Sequence, residues 1–349
     1  MISEMDLSKI NGIVVVSGDG LLYEIVNGML NRKDWLEIRK IPIGIIPGGS
    51  GNGVAAHLNV LSPVNAAFAI IKNNTSPLDV FSVIQNNNRY YSILSITWNL
   101  IADIDVESEK YRWMGGFRFT FTAINKILTK YSSNYGKLTY IPSDSKERLH
   151  CTSFQCKGCT DIDDPIYQSQ YGSINNKENN KNNNENDNNN NNDNNENDKN
   201  TDNNNENNNN NKNKGPELKI INKWEEMSKE KGIKVESEYM YFVATNLRQL
   251  AGDVNAAPFA HLSDGTIDLL FAKSLSKPKL TKLLLDLENG KYTEMKEVEY
   301  HKVTAFKLEP SNNSKVLMID GERLPCVDPI FVEVHPSLLN IFVLPTPDL

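Results

Sequence analysis

Ile13-Val14-Val15-Val16-Ser17-Gly18-Asp19-Gly20 is a β-branched run that stops at a glycine turn, and Ile43-Gly44-Ile45-Ile46-Pro47-Gly48-Gly49-Ser50-Gly51-Asn52-Gly53 repeats the arrangement. Apolar runs of this kind suit parallel strands buried on both faces. Behind the first turn, Leu21, Leu22, Ile25, Val26, Met29 and Leu30 recur at helical spacing. Behind the second, Val54 to Leu58 starts another helix, and Ser62-Pro63 opens a third through Ile71, a cap residue followed by Pro in the first turn. Strand, glycine turn and helix, twice over, predict an α/β region.

Working outward, the character changes after Asn74. Val80 to Ile84 and Tyr90 to Trp98 are β-rich and flank Gln85-Asn86-Asn87-Asn88, a hairpin turn by composition. Met240 to Ala244, Ile267 to Ala272, Val303 to Leu308, Val316 to Ile319, Ile330 to Val334 and Leu339 to Val343 follow as short strands, interrupted by helical patches at Phe117 to Leu128 and Lys279 to Leu287. Many short strands with turn signals predict a β-sandwich. The expected fold is therefore α/β plus β: a partial parallel α/β nucleotide-binding domain over 1–76, then a β-sandwich lipid-binding domain over 77–349. Residues from about 173 to 214, almost all Asn with Glu, Asp and Lys, lack the apolar side chains that offset ordering entropy and read as a disordered surface insertion.

The 349 residues allow two domains, and 37 Lys plus Arg against 44 Asp plus Glu, a formal charge of -7, exclude a basic nucleic-acid footprint. Met1 to Ile10 lacks the basic-then-apolar pattern of a signal peptide, and no apolar run reaches the roughly 18 residues of a spanning helix. A soluble intracellular protein is expected. The four cysteines do not suggest a secreted disulfide framework.

Backbone N–H groups at a glycine-lined helix start bind anions, and two such turns in succession point to a polyphosphate. Neither turn carries the Gly-Lys-Ser/Thr of a P-loop or the spacing of a dinucleotide fingerprint; a pair of plain βα turns stays open. Asp19 in the first turn could accept a proton from an attacking hydroxyl, help hold Mg²⁺, or simply stabilise the turn. Glu24 lies one turn further along the same helix.

Ser17-Gly18-Asp19-Gly20-Leu21-Leu22-Tyr23-Glu24-Ile25-Val26-Asn27-Gly28 resembles the signature turn and helix of the sphingosine kinase family. Pro47-Gly48-Gly49-Ser50-Gly51-Asn52 resembles that family's second phosphate loop, shared with diacylglycerol kinases. Ile101-Ala102-Asp103-Ile104-Asp105-Val106-Glu107-Ser108-Glu109-Lys110-Tyr111-Arg112 resembles the segment that reads the lipid head group. Ile319-Asp320-Gly321-Glu322, Val334-His335-Pro336, Ala257-Pro258 and Asp264-Gly265 fall in family order. The family has earlier strands and a further glycine loop before the first turn, so the chain is expected to be N-terminally shortened, with an exposed apolar edge.

The resemblance implies an ATP-dependent lipid kinase acting on the primary hydroxyl of sphingosine and related sphingoid bases. Asp19 would be the general base; Ser17, Gly18, Gly20 and Asp105 would bind the lipid, Asp105 through its amino group or secondary hydroxyl. Glu24, Gly49, Ser50, Gly51, Arg112, Arg118, Asp320, Gly321 and Glu322 would bind the nucleotide, with Mg²⁺ bridging its phosphates. A cytoplasmic protein with peripheral contact to intracellular or plasma membranes follows, and a homodimer stays open. A diacylglycerol kinase and a non-catalytic nucleotide- or lipid-binding pseudokinase are the alternatives. Read without the resemblance, Asp103 and Asp105 are turn residues, Arg112 pairs on a solvated face, and Asp320-Gly321 is a hairpin turn. His150, Cys151, Cys156 and Cys159 lack a standard zinc spacing. Tyr111 to Lys130 reads as a plain amphipathic helix or as a lid over the lipid tail.

Overall fold

Strand β1 (Ile13–Ser17) pairs in parallel with β2 (Ile43–Pro47), residue against residue from Ile13↔Ile43 to Ser17↔Pro47, so the two glycine turns leave the sheet side by side. The computed structural model describes residues 2–115, 117–129, 133–143, 215–311, 316–326 and 328–345. The Asn-rich segment, His150, Cys151, Cys156 and Cys159 lie outside the described residues. Helix α1 (Asp19–Leu30) follows the first turn and buries Leu22, Val26, Met29 and Leu30, the stripe the spacing predicts. After the short α2 (Trp35–Ile38), α3 (Gly53–His57) follows the second turn and α4 (Pro63–Lys72) carries Pro in its first turn as expected, although the Ser62 side chain makes no capping bond.

The expectation of strands buried on both faces is corrected at β1. Val15 is buried, but Val14 and Val16 are 46% and 69% exposed. Helix α1 covers one face, while α4 covers the other only over β2, where a Cβ on Gly44 would meet Ile70. Nor do the two strands stand alone: β2 pairs in parallel with β14 (Ile330–Phe342) at Ile43↔Ile341, which makes them one end of a twelve-stranded sheet.

That sheet continues through β11 (Val298–Pro310), β10 (Ile267–Lys273), β7 (Ile233–Thr245), β5 (Ser95–Asn99), β12 (Leu317–Ile319) and β13 (Glu322–Leu324). Strand β3 (Thr75–Gln85) lies between β14 and β4 (Asn88–Ser92), and β6 (Asn134–Pro142) pairs with both β11 and β7. Since β10 also joins β7 to β11, these four strands close into a ring of pairings. Phe81, Trp98, Phe242, Phe271 and Phe306 fill the interior, and the result is the expected β-sandwich.

Three local readings change. Ile330 to Val334 and Leu339 to Val343 are one strand with a bulge between His335 and Leu339, where Ser337 takes φ +51°. The apolar run Tyr90 to Trp98 breaks at Ile93-Leu94 into β4 and β5. Asp103 and Asp105 are not turn residues: they lie on helix α5 (Leu100–Ser108). The hairpin at Gln85–Asn88 is present, with Asn86 and Asn87 both at positive φ, as a two-residue primed turn needs. Helices α6 (Phe117–Thr129), α7 (Trp224–Glu230) and α8 (Lys277–Asp286), and a separate ribbon of β8 (Gln249–Ala251) and β9 (Val254–Asn255), complete the described elements used below.

Candidate active site

The two glycine turns touch. A Cβ on Gly49 would lie 2.5 Å from the Gly18 Cα, and one on Gly53 would lie 2.6 Å from the Leu250 carbonyl oxygen. Glycine is required at both points because backbone occupies the space. Asn52, held in the left-handed conformation (φ +53°), closes the second turn: its Oδ1 accepts from the Gly49 N–H (2.9 Å) and its Nδ2 donates to the Gly49 carbonyl (2.7 Å). The Gly49 N–H is thus tied within the loop. The first turn of α1 has no side-chain cap, so its N–H groups are the orphan donors that favour an anion.

Asp19 joins the two loops. One carboxylate oxygen accepts from the Gly53 N–H (2.8 Å) and the other from the Val54 N–H (3.1 Å). Burial pushes its pKa above the usual aspartate value, and these donors pull it back. An ionised carboxylate has about four lone-pair sites, so each oxygen keeps one for a further proton.

Asp320 does something the sequence did not indicate. With Gly321 it forms the two-residue turn between β12 and β13, both residues at positive φ. Its carboxylate is buried and accepts from the Ser92 hydroxyl (2.6 Å) and the N–H groups of Ile93 (2.9 Å), Leu94 (3.1 Å) and Ser95 (2.8 Å). Burial pushes its pKa up to about 6, which leaves it ionised at neutral pH. Its Oδ1 is taken up by Ser92, Leu94 and Ser95 and, among the described residues, its Oδ2 accepts only from Ile93, so the residue clasps β4 to β5 while still lining the cavity. Glu322 behaves differently. Its Oε1 would be 3.5 Å from a Cβ on Gly20, and no hydrogen bond among the described residues engages it.

These groups open into a cavity of about 850 Å³. Ser17, Gly18, Asp19, Gly20, Gly49, Ser50, Gly51, Asp105, Arg118, Asp320, Gly321 and Glu322 all line it. Glu24 does not: it is exposed on α1, a helical turn beyond the pocket. Arg112 lies on the 3₁₀ turn Glu109–Met114, with its side chain outside the described structure. The polar groups come mainly from the glycine turns and the β12–β13 turn. Apolar groups come from Ile101 and Ile104 on α5, Phe119, Ile124 and Ile127 on α6, and Leu284 and Leu285 on α8.

Two ion-pair systems hold α6 over the cavity. Arg118 pairs with Glu109 at 2.6 Å, and Lys126 bridges Asp103 (3.1 Å) and Glu107 (2.7 Å). The Arg118 side chain is buried, and its Nε has no partner among the described residues. An orphaned buried guanidinium nitrogen fits an anionic ligand such as a nucleotide phosphate. The sequence reading missed the walls from α8 and the β8–β9 ribbon. The leucine run Leu283 to Leu285 was the one available signal, because a helix burying Leu280 and Leu283 has little reason to show Leu285 to solvent.

Fold and site together define a diacylglycerol kinase-like architecture. The diacylglycerol kinase catalytic domain family matches residues 1–83, and the YegS C-terminal NAD kinase beta sandwich-like domain family matches residues 216–343. Sphingosine kinase 1 of Arabidopsis thaliana is 33% identical over 338 residues, covering 93% of this chain and 59% of that protein. Sphingosine kinase B of Dictyostelium discoideum is 34% identical, with 92% and 58% covered. Human sphingosine kinase 1 is 25% identical, with 97% and 77% covered. A crystal structure of a diacylglycerol kinase from Bacillus anthracis shares the fold at TM-score 0.52 and 16% identity, covering 97% of this chain and 78% of that one. Over most of its length the chain is similar to sphingosine kinases, and it carries matches to both domains of the diacylglycerol kinase-like fold. It spans about 59% of the length of its Arabidopsis relatives.

Proposed function

We propose that the chain is an ATP-dependent lipid kinase that phosphorylates the primary hydroxyl of sphingoid bases. One observation carries this reading: a single cavity joins two glycine phosphate turns and Asp19 to an apolar wall from three helices. The polar part suits a polyphosphate and a reacting hydroxyl, and the apolar part suits an alkyl chain. Among the described residues the wall also holds seven carboxylates and one guanidinium, Arg118. That imbalance favours a lipid with a cationic head, such as a long-chain amine, over neutral diacylglycerol. Peripheral membrane contact, through which such a lipid would arrive, belongs to the same proposal; no described helix is long and apolar enough to cross a bilayer.

In this reading Asp19 takes the proton of the primary hydroxyl, while Arg118 and the first-turn N–H groups of α1 hold phosphate charge. Mg²⁺ prefers phosphate and water oxygens completed by one or two carboxylates. Glu322, which lines the cavity and accepts no hydrogen bond among the described residues, is the carboxylate that would most readily reach such an ion. Bound there, the ion would supply charge neutralisation at the phosphates.

The test is transfer of labelled γ-phosphate from ATP to sphingosine in detergent micelles; a folded, monodisperse sample that labels no lipid sinks the reading. Asp105→Asn tests the head group. Losing a charge-assisted bond to the amine should lower kcat/KM for sphingosine by about 10–100-fold, with little change for diacylglycerol. Equal losses on both lipids would remove the basis for an amino-alcohol substrate. Gly49→Ala should force the two phosphate turns apart by about 1 Å, a misplacement that can cost on the order of 10²-fold in kcat/KM. Unchanged kcat/KM and nucleotide affinity in that variant would mean the loop contact has no role.

A further inference from the structure

Helix α3 is only five residues long, and both of its ends are tied to groups of the cavity. At its start the Gly53 and Val54 N–H groups donate to Asp19. At its end His57 Nδ1 accepts from the Arg248 N–H at 3.0 Å. Arg248 leads into the β8–β9 ribbon, whose Leu250, Ala251, Asp253 and Val254 stand in the cavity wall. The ribbon also meets the start of the helix, where Asn52 bridges to Ala251 and the Leu250 carbonyl fills the space a Gly53 side chain would need. At its far end the Asn255 N–H donates to the Leu287 carbonyl at 2.9 Å, just behind α8 and its apolar wall.

A helix this short has little stability of its own, because its nucleus costs more than its few bonds return. Its contacts therefore fix where it points. Without the His57 acceptor, the Arg248 N–H loses its partner and the end of α3 is released from the ribbon, while Asp19 hangs on the other end. An imidazole nitrogen accepts only when unprotonated, so this bond requires a neutral ring with its hydrogen on Nε2. Burial, with Arg248 and His261 close by, pushes the His57 pKa down to about 3, which keeps the ring neutral near pH 7. His57 itself does not line the cavity.

We propose that His57 is a positioning residue for the transfer: by holding α3 to the ribbon, it sets where Asp19 stands against the wall that receives the lipid. The inference rests on the kinase reading above, and it gives His57 no proton to move.

The experiment measures kcat/KM for sphingosine phosphorylation in mixed micelles across pH, with the Tm of each variant, on the full chain. His57→Leu keeps the bulk and removes the acceptor. Its kcat/KM should fall by about 10–100-fold, the cost of a small misplacement at a reacting group. Its acid limb should also move to higher pH, because looser Gly53 and Val54 bonds leave the burial of Asp19 less opposed. His57→Asn places an amide oxygen where Nδ1 stands and should restore both readouts. His57→Gln carries its oxygen one bond further and should restore neither. A Leu variant that loses Tm yet keeps the parental kcat/KM and acid limb in its folded fraction overturns the inference, since a purely structural contact behaves that way. An Asn variant no better than the Gln variant overturns it too. Should the Leu variant fail to fold, the Asn and Gln pair decides. With an active parent these failures leave the kinase reading in place, whereas a folded parent that phosphorylates no lipid overturns that reading and this inference with it.

Discussion

Asp19→Asn should lower lipid phosphorylation by about 10²–10⁴-fold, the usual contribution of a positioned general base. The amide cannot take the proton of the attacking hydroxyl. It also changes the link between the phosphate turns, since an Asn oxygen can accept from Gly53 or Val54 but its NH₂ must face the other donor. Two effects are therefore superimposed, and nucleotide affinity separates them. A merely loosened loop weakens nucleotide binding and transfer alike, whereas loss of the base lowers kcat while nucleotide binding falls by no more than about tenfold. Transfer within about tenfold of the parent would remove Asp19 from the chemistry.

The pH profile gives a second readout. Burial raises the Asp19 pKa above the ordinary aspartate value, and the Gly53 and Val54 donors oppose that shift without cancelling it. A general base works ionised. Activity should be present above the folded-state pKa and be lost as pH falls through it, so the acid limb of kcat/KM should lie above the limb of an exposed aspartate. A limb at or below the ordinary aspartate value of 3.8 would contradict the burial.

Much of this arrangement was legible in the chain because its signals are local. Strands β1 and β2, the glycine turns, the buried stripe of α1, Pro63 at the head of α4 and the turn at Asn86-Asn87 all depend on residues close in sequence. What stayed hidden depends on distant partners. The run Tyr90 to Trp98 has strand composition throughout, and only the Asp320 carboxylate, far along the chain, turns it at Ile93 and Leu94. The pairing of β2 with β14 joins residues 43 and 341, which no periodicity reveals. Glu24 carries a family signature but faces away from the cavity, since its place on α1 sets its direction. The Asp-Gly turn and the acidic-site reading of residues 320 to 322 were competing alternatives. The backbone forms the turn, the Asp320 side chain clasps β4 to β5, and Glu322 lines the cavity.

Asp320→Ala should be among the most destabilising single changes at this site. It leaves the Ser92 hydroxyl and the N–H groups of Ile93, Leu94 and Ser95 without their acceptor. An unsatisfied buried donor costs about 1–3 kcal/mol, and water entering from the cavity recovers part of that, so a net loss of about 3–6 kcal/mol is expected. Against a typical total of about 5–15 kcal/mol this is a large fraction. At about 2–4 °C per kcal/mol for domains of this order, Tm should fall by about 6–24 °C. Asp320→Asn keeps one acceptor oxygen and should fall between Asp320→Ala and the parent. Gly321→Ala is the control for the turn itself. Its φ of +86° strains any side chain, yet a Cβ there meets nothing within 4 Å, so it should lose only about 1–2 kcal/mol. The expected ordering, with Asp320→Ala worst, Asp320→Asn intermediate and Gly321→Ala mildest, separates the clasp from the turn. Equal losses at the two positions would assign the stability to backbone geometry alone. Because Leu94 and Ser95 line the cavity, the folded fraction of Asp320→Asn should also show a raised KM for the lipid, a change that Gly321→Ala should not share.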